Sequence, residues 1–119
     1  MQFLWTTITV RNMEESLSFY QKALNLEVTE KMQTPGADIA FLGEGETKIE
    51  LIQHKGETPS PVGDSISIGF SVADLEETMA SLKKQGIVIS EGPFSPNPSV
   101  KFCFVRDPNG VRVQFVERQ

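Results

Sequence analysis

Residues 7–16, TITVRNMEES, decide the fold because the chain contains them in two versions. The second version is GFSVADLEET at residues 69–78, and each position lies 62 residues after its counterpart. Each copy has the pattern of an alternating strand, a helix N-cap (Asn12 or Asp74) and a first helical turn rich in glutamate. A repeat that extends over more than half of the chain predicts two similar modules.

The composition is that of an ordinary globular chain. With 119 residues, 39% of them hydrophobic, the chain is long enough to bury its own core. A net charge of −5 argues against nucleic acid as a partner, because nucleic acid requires a basic face. One cysteine, Cys103, excludes an internal disulfide, and neither a signal peptide nor a membrane-spanning apolar run is visible. We expect a cytoplasmic protein that binds neither nucleic acid nor membrane.

The pattern on both sides of the repeat predicts a βαβββ order in each module. In module 1, strands are predicted at residues 3–10, 26–31, 39–42 and 48–53, with a helix that starts after Asn12. In module 2, strands are predicted at 65–72, 87–90, 101–106 and 111–117, with a helix between Asp74 and Gly86. Residues 92–99 contain three prolines and are expected to be a loop, and residues 107–110, DPNG, predict a hairpin turn.

One face of each leading strand is unusually polar. Trp5, Thr7 and Thr9 lie on the face opposite Ile8 and Val10 in the first copy, and Ser67 and Ser71 lie on the corresponding face in the second. A polar face lined by small residues suggests a pocket that holds solvent or a ligand. Simple exposure of one face of an antiparallel sheet explains the same pattern, so both interpretations stay open here.

The combination of features resembles the vicinal oxygen chelate superfamily, which contains glyoxalase I, bleomycin-resistance proteins, fosfomycin-resistance enzymes and extradiol dioxygenases. The resemblance rests on the doubled βαβββ unit, the matching helix starts, the Phe19-Tyr20 pair and the DPNG hairpin, and it covers essentially the whole chain. It implies an α+β fold in which two βαβββ modules form curled sheets around a cup. It also implies a homodimer with pockets shared between subunits. We therefore expect one glyoxalase-like domain at 1–119, with modules at about 1–54 and 65–119 and a linker at about 55–64.

The resemblance also implies four positions at which metal-dependent members of the superfamily place their ligands. In this sequence they carry Trp5, Glu50, Ser67 and Gln114. Only Glu50 is a good ligand, whereas a divalent transition metal needs several imidazole or carboxylate donors. We therefore expect no metal ligands and no cofactor, although a divalent metal stays a less favoured possibility.

Three residues, Glu50, His54 and Cys103, are interpreted one by one. Glu50 is either an anchor for a ligand amine, a general base, or a remnant paired with Arg112 or Lys48. His54, the only histidine, is expected to face solvent at the start of the linker. Cys103 alternates with two phenylalanines and is more typical of a small buried hydrophobe than of a nucleophile, but it is included among the candidate ligand-binding residues.

Two functions from different classes follow. The first is a binding protein with a degenerate metal site, which takes a small cationic or aromatic molecule into a cup shared by a dimer. Its candidate ligand-binding residues are Trp5, Thr7, Glu50, Ser67, Cys103 and Gln114. The second is an enzyme, a lactoylglutathione lyase-like or other lyase or isomerase, in which Glu50 is the catalytic base. Whether the chain is an enzyme at all stays open.

Overall fold

The structure, a computed structural model, describes all residues from 1 to 119 and consists of two compact units. Unit 1 is Met1–Ser60 and unit 2 is Pro61–Gln119. Each unit contains a strand, a helix and then three strands, which form one four-stranded mixed sheet. The predicted α+β class with two βαβββ modules is therefore confirmed. Neither helix is long and apolar enough to cross a membrane.

The elements of unit 1 are β1 (Trp5–Thr9), α1 (Met13–Lys22), β2 (Val28–Gln33), β3 (Ala37–Leu42) and β4 (Lys48–His54). Its sheet has the first and last strands side by side, in the order β1-β4-β3-β2. Strand β1 runs parallel to β4, and the other pairs are antiparallel, so that Thr7 and Phe41 both lie opposite Glu50.

The elements of unit 2 are β5 (Ser67–Ser71), α2 (Leu75–Lys84), β6 (Glu91–Asn97), β7 (Val100–Arg106) and β8 (Arg112–Arg118). They repeat the topology of unit 1, in the order β5-β8-β7-β6. Gly69 and Phe104 both lie opposite Gln114, as Thr7 and Phe41 lie opposite Glu50 in unit 1. The repeat in the sequence is thus a repeat in strand register.

The core of each unit is formed by one side of its sheet and one stripe of its helix. Alternation along β1 and β4 gives the buried side chains of Ile8 and Leu51, and Tyr20 on α1 is also fully buried. In unit 2, Phe115 on β8 and Leu82 on α2 are buried in the same way. Removal of this apolar surface from water is the main stabilising term.

Both helices begin at the predicted N-caps and are also held by the sheet. The side chains of Asn12 and Asp74 accept hydrogen bonds from the third residue of their helices. In addition, the first N–H of α1, from Met13, donates to the Gln53 side chain at 2.7 Å, and the first N–H of α2, from Leu75, donates to Glu117 at 2.8 Å. The last strand of each unit therefore supplies a second capping side chain.

The turn at residues 107–110 is closed by its first residue. The buried Asp107 carboxylate accepts the N–H groups of Asn109 and Val111, each at 2.8 Å. Gly110 has a φ of 88°, a conformation that L residues rarely adopt. These contacts form the predicted hairpin turn between β7 and β8.

The region between α2 and β7 differs from the prediction. Residues 87–90 are not a strand, and the expected loop at 92–99 contains β6 instead. Strand β6 lies at the sheet edge and pairs with β7 at only three positions, Glu91, Phe94 and Asn97, with register shifts between them. Prolines are tolerated at an edge and at bulges because no ladder N–H is needed there.

Candidate functional site

The side of each sheet turned away from its helix, which we call the open face, carries most of the predicted site residues. In unit 1, Ile8 points into the core, whereas its neighbours Thr7 and Thr9 are exposed. Because opposed residues share a face, Thr7, Glu50 and Phe41 form one row across β1, β4 and β3. The open face of unit 1 therefore brings Trp5, Thr7 and Glu50 together.

Glu50 is held by a neighbour and has no cationic partner. The Thr7 hydroxyl donates to its Oε1 at 2.6 Å, which fixes the half-buried carboxylate on the sheet. The predicted alternative partners are engaged elsewhere, because Lys48 Nζ donates to the Gly43 carbonyl and Arg112 pairs with Glu91. No salt bridge in the chain involves Glu50, so its charge is available to a ligand.

An aromatic pair lies beside this carboxylate. The Trp5 indole meets Phe41 edge to face, with ring centroids 5.1 Å apart, and Trp5 keeps 43% of its surface exposed. Phe41 is directly opposite Glu50 in the sheet. The exposed Trp5 ring next to a negative charge is suited to a cation or to an amine attached to an apolar group.

The open face of unit 2 has the same register and different chemistry. Gln114 stands where Glu50 stands in unit 1, and it lies opposite Gly69. A Cβ at Gly69 would come 3.2 Å from Gln114 Oε1, so glycine leaves room for the amide. Ser67, opposite Arg112, is exposed at the end of the same strand. The structure thus places Ser67 and Gln114 on one face.

Phenylalanines continue this face toward the sheet edge. Phe94, Phe102 and Phe104 contact one another in sequence, with centroid distances of 5.5 and 5.8 Å. The Arg112 guanidinium lies 4.2 Å above the Phe104 ring and binds the Glu91 carboxylate. The sequence interpretation missed this row, although the i, i+2 spacing of Phe102 and Phe104 was a signal for a shared face.

Cys103 does not belong with the other candidates. It is fully buried between two residues that face the other way, and it lies opposite the core residue Phe115. Burial raises the pKa of its thiol, which keeps it protonated and unreactive. We therefore leave Cys103 out of the candidate face. His54, the last residue of β4, is partly buried opposite Ala37.

A second displaced pKa also lies outside the candidate face. The Glu27 carboxyl is fully exposed, and its pKa is raised by a hydrogen bond to Glu44 and by repulsion from that carboxylate. The contact joins the start of β2 to the turn between β3 and β4.

The four positions implied for metal ligands do not fit a divalent transition metal. The Trp5 ring packs on Phe41, Ser67 and Gln114 provide only neutral oxygens, and Glu50 alone is a strong donor. No group of three or more His, Cys, Asp or Glu side chains with a suitable arrangement exists in the chain. The donor set therefore argues against a metal centre of the usual kind.

The curated relatives include lactoylglutathione lyases from several bacteria. The chain is 30% identical to the lactoylglutathione lyase of Neisseria meningitidis serogroup A over 128 aligned residues, which cover 100% of this chain and 92% of that protein. It is 28% identical to the lactoylglutathione lyase of Haemophilus influenzae, with 100% and 94% covered.

Comparisons with solved structures give the same fold in proteins of different function. The trypanothione-dependent glyoxalase I of Leishmania major is similar with a TM-score of 0.86 and 27% identity over 98% of this chain and 86% of that one. TnmS3, an antibiotic-binding protein from Streptomyces sp. CB03234, has a TM-score of 0.81 at 15% identity, with 100% and 97% covered. The family model of the glyoxalase/bleomycin resistance protein/dioxygenase superfamily matches residues 2–115. With the doubled βαβββ topology, this match shows that the chain belongs to that superfamily, also known as the vicinal oxygen chelate superfamily.

Proposed function

We propose that this protein binds a small organic amine on its open strand face, with Glu50 as the anchor. The observation that carries the proposal is a half-buried carboxylate that is held by Thr7 and has no basic partner in the chain. A partly desolvated carboxylate without a counter-charge favours a cationic ligand, because a charge-assisted hydrogen bond offsets its desolvation.

The aromatic neighbours define the other part of the ligand. Trp5, which packs against the buried Phe41 ring, offers an apolar surface next to the carboxylate. An amine attached to an apolar or aromatic group satisfies both features, whereas a free inorganic cation satisfies only one. The net charge of −5 adds a favourable long-range attraction for such a ligand.

We propose that this binding is independent of a metal. The support is the donor set, in which indole, hydroxyl and carboxamide groups occupy three of the four implied ligand positions. The fold is compatible with this assignment, because proteins of the same fold include both glyoxalase I and an antibiotic-binding protein.

A titration with benzylamine tests the anchor role. The single tryptophan lies on the proposed face, so its fluorescence reports binding there. We expect Glu50→Gln to weaken benzylamine about tenfold to one-hundredfold, the size of one charge-assisted hydrogen bond. Glu57→Gln, which removes an exposed carboxylate outside the sheets, is the matched control. Equal effects of the two variants, or no binding of benzylamine at millimolar concentration, would contradict the proposal.

The second candidate is a lyase or isomerase with Glu50 as proton-transfer base. The curated lactoylglutathione lyases at up to 30% identity favour it. The carboxylate would take a proton from a carbon next to a carbonyl group, but this chain places no strong electrophile at the implied ligand positions. Loss of oxyanion stabilisation costs several kcal/mol of barrier, about 10³-fold in rate.

Metal analysis and one assay distinguish the two functions. Purified protein is analysed for nickel and zinc, and then tested with the hemithioacetal of methylglyoxal and glutathione. Stoichiometric metal, together with turnover that Glu50→Gln abolishes, would establish the enzyme in place of the binding protein. We expect neither.

The proposal extends to assembly and location. We propose a homodimer, as the resemblance implies, and light scattering should then give twice the chain mass of 13.2 kDa. We propose a cytoplasmic location because the chain has one cysteine and no disulfide. Fractionation of cells that express the tagged protein tests this location.

A further inference from the structure

The open face of unit 2 changes from polar to aromatic along its strands. Ser67 and Arg112 form one end, Gln114 and Phe104 form the middle, and Phe102 and Phe94 form the other end, with Phe94 on the edge strand β6. Phe94 is 45% exposed, and the Phe102 ring next to it is partly exposed. Two adjacent phenylalanine rings in contact with water are an apolar surface that a planar group can cover.

Gln114 provides an unused polar group beside these rings. Its side chain is half-buried and makes no hydrogen bond within the chain, although an amide has both donors and an acceptor. Gly69 leaves the space next to its Oε1 free of a side chain. Gln114 and Phe102 are diagonal neighbours on adjacent strands, about 7–8 Å apart, a distance that a bicyclic molecule spans.

The ion pair of Arg112 and Glu91 holds the Phe104 ring in place and adds little net charge to the face. The guanidinium covers Phe104, which is only 8% exposed, and its Nη2 is bound by both Glu91 oxygens at 3.2 and 3.4 Å. The pair is neutral together, so the face does not select an anion. Arg112 is therefore a positioning residue, and the groups left for a ligand are Phe94, Phe102 and Gln114.

We propose that the open face of unit 2 binds a planar aromatic group that carries a hydrogen-bonding substituent. The ring lies on Phe94 and Phe102, and the substituent bonds to the Gln114 amide. This inference rests on the proposed function, because it extends the binding of small organic molecules from the open face of unit 1 to that of unit 2.

A second copy of the chain is a less suitable occupant for this face. An added strand would need a regular ladder on the edge strand β6, but Pro93 and Pro96 remove two of its N–H groups. The register shifts between Glu91, Phe94 and Asn97 also interrupt its pairing geometry. A small flat molecule needs no such ladder.

The test is a titration of the ¹⁵N-labelled full chain with 2-naphthol, followed through backbone amide shifts. Its saturated counterpart, decahydro-2-naphthol, is the matched probe. We expect 2-naphthol to bind with a Kd of about 1 mM and to shift the amides around Phe94, Phe102 and Gln114. The saturated probe should bind about threefold to tenfold more weakly, as should the variants Phe94→Ala and Gln114→Ala to 2-naphthol. Val88→Ala, at an exposed residue outside the sheet, should leave binding unchanged.

Several results would overturn the inference. They are shifts confined to unit 1, equal binding of the two probes, no binding at all, or the same shifts on raising the protein concentration without probe, which would show a second copy on this face. The amide spectrum of each variant also shows whether it is folded. Since 2-naphthol has no amine, its failure leaves the Glu50 proposal standing, and failure of benzylamine leaves this one standing.

Discussion

Replacing Glu117 by alanine should lower the free energy of unfolding by about 1.5–3 kcal/mol, the value of a hydrogen bond to a charged acceptor. The Glu117 carboxylate accepts the first N–H of α2, from Leu75, at 2.8 Å. Leu75 is 2% exposed, so water has little access to this N–H when the carboxylate is removed. The N-cap Asp74 does not make this bond, because its side chain accepts from Glu77, the third residue of the helix.

Two further variants separate the hydrogen bond from the charge. Glu117→Gln keeps an acceptor and loses only the interaction of a negative charge with the helix N-terminus, so it should cost about 0.3–1 kcal/mol. Gln53→Ala removes the equivalent bond of unit 1, to the Met13 N–H. Because Met13 is only partly buried, water can replace the lost acceptor there, and the cost should be about 0.5–1.5 kcal/mol.

The measurement is urea unfolding of the full chain followed by circular dichroism, with Arg118→Ala as the control. Arg118 is exposed, directly follows Glu117 and makes no side-chain hydrogen bond or ion pair. At 1 M salt the effect of Glu117→Gln should shrink, since its charge term is screened. A cost of Glu117→Ala no larger than that of Arg118→Ala would refute the capping role, and equal costs of Glu117→Ala and Glu117→Gln would refute the hydrogen-bond assignment.

Three other predictions follow from single groups. Asp107→Ala should cost about 2–4 kcal/mol in urea unfolding, because two turn N–H groups lose their acceptor, and Asp107→Asn should cost less; equal costs would contradict this reason. Cys103 should react with a disulfide reagent at least one-hundredfold more slowly in the folded than in the urea-unfolded chain, since its thiol is buried and its pKa raised; rapid labelling of folded protein would count against this. Because the pKa of Glu27 is raised above its ordinary 4.5, its contribution to stability is complete at low pH and is lost as pH rises through the raised value. Glu27→Gln should therefore flatten the thermal stability curve just above pH 4.5, and an unchanged curve would argue against the contact with Glu44.

The sequence predicted the features of the fold that depend on neighbours along the chain. Strand alternation identified Ile8 as buried and Thr7 as exposed, and the N-cap residue types located both helix starts at Asn12 and Asp74. Because the repeat occurs twice, the element order predicted for one module supports the order predicted for the other. These signals are local, and a repeated local signal is specific enough to give the topology.

The position of β6 was missed because composition was given more weight than the repeat. Three prolines in residues 92–99 favoured a loop. However, β2 begins at Val28, and an offset of about 62 residues places its counterpart near residue 90, close to the observed start at Glu91. Glu30 and Glu91 even have equivalent partners, Phe41 and Phe104. Proline excludes a central strand but not an edge strand, and β6 lies at the sheet edge.

Side-chain partners across strands were outside the reach of sequence reasoning. Nothing in the sequence indicates that Thr7 donates to Glu50 rather than to water, or that Arg112 selects Glu91. Both contacts depend on register between strands that are distant along the chain, and a slip of one residue would reverse the faces. The candidate site could therefore be listed by residue type, but its hydrogen bonds could not be assigned.

Comparison of the two units separates what packing requires from what a ligand requires. The core pairs are equivalent, since Ile8 opposite Leu51 in unit 1 corresponds to Phe70 opposite Phe115 in unit 2, and all four are apolar. On the open faces, the equivalent positions differ in charge and size, with Glu50 in one unit and Gln114 in the other. Packing explains the likeness of the cores, but it requires no difference on a face that it does not bury. A carboxylate next to tryptophan in unit 1 and an amide next to phenylalanines in unit 2 are what two faces that bind different chemical groups would require, which is why the amine and the aromatic group are tested with separate probes.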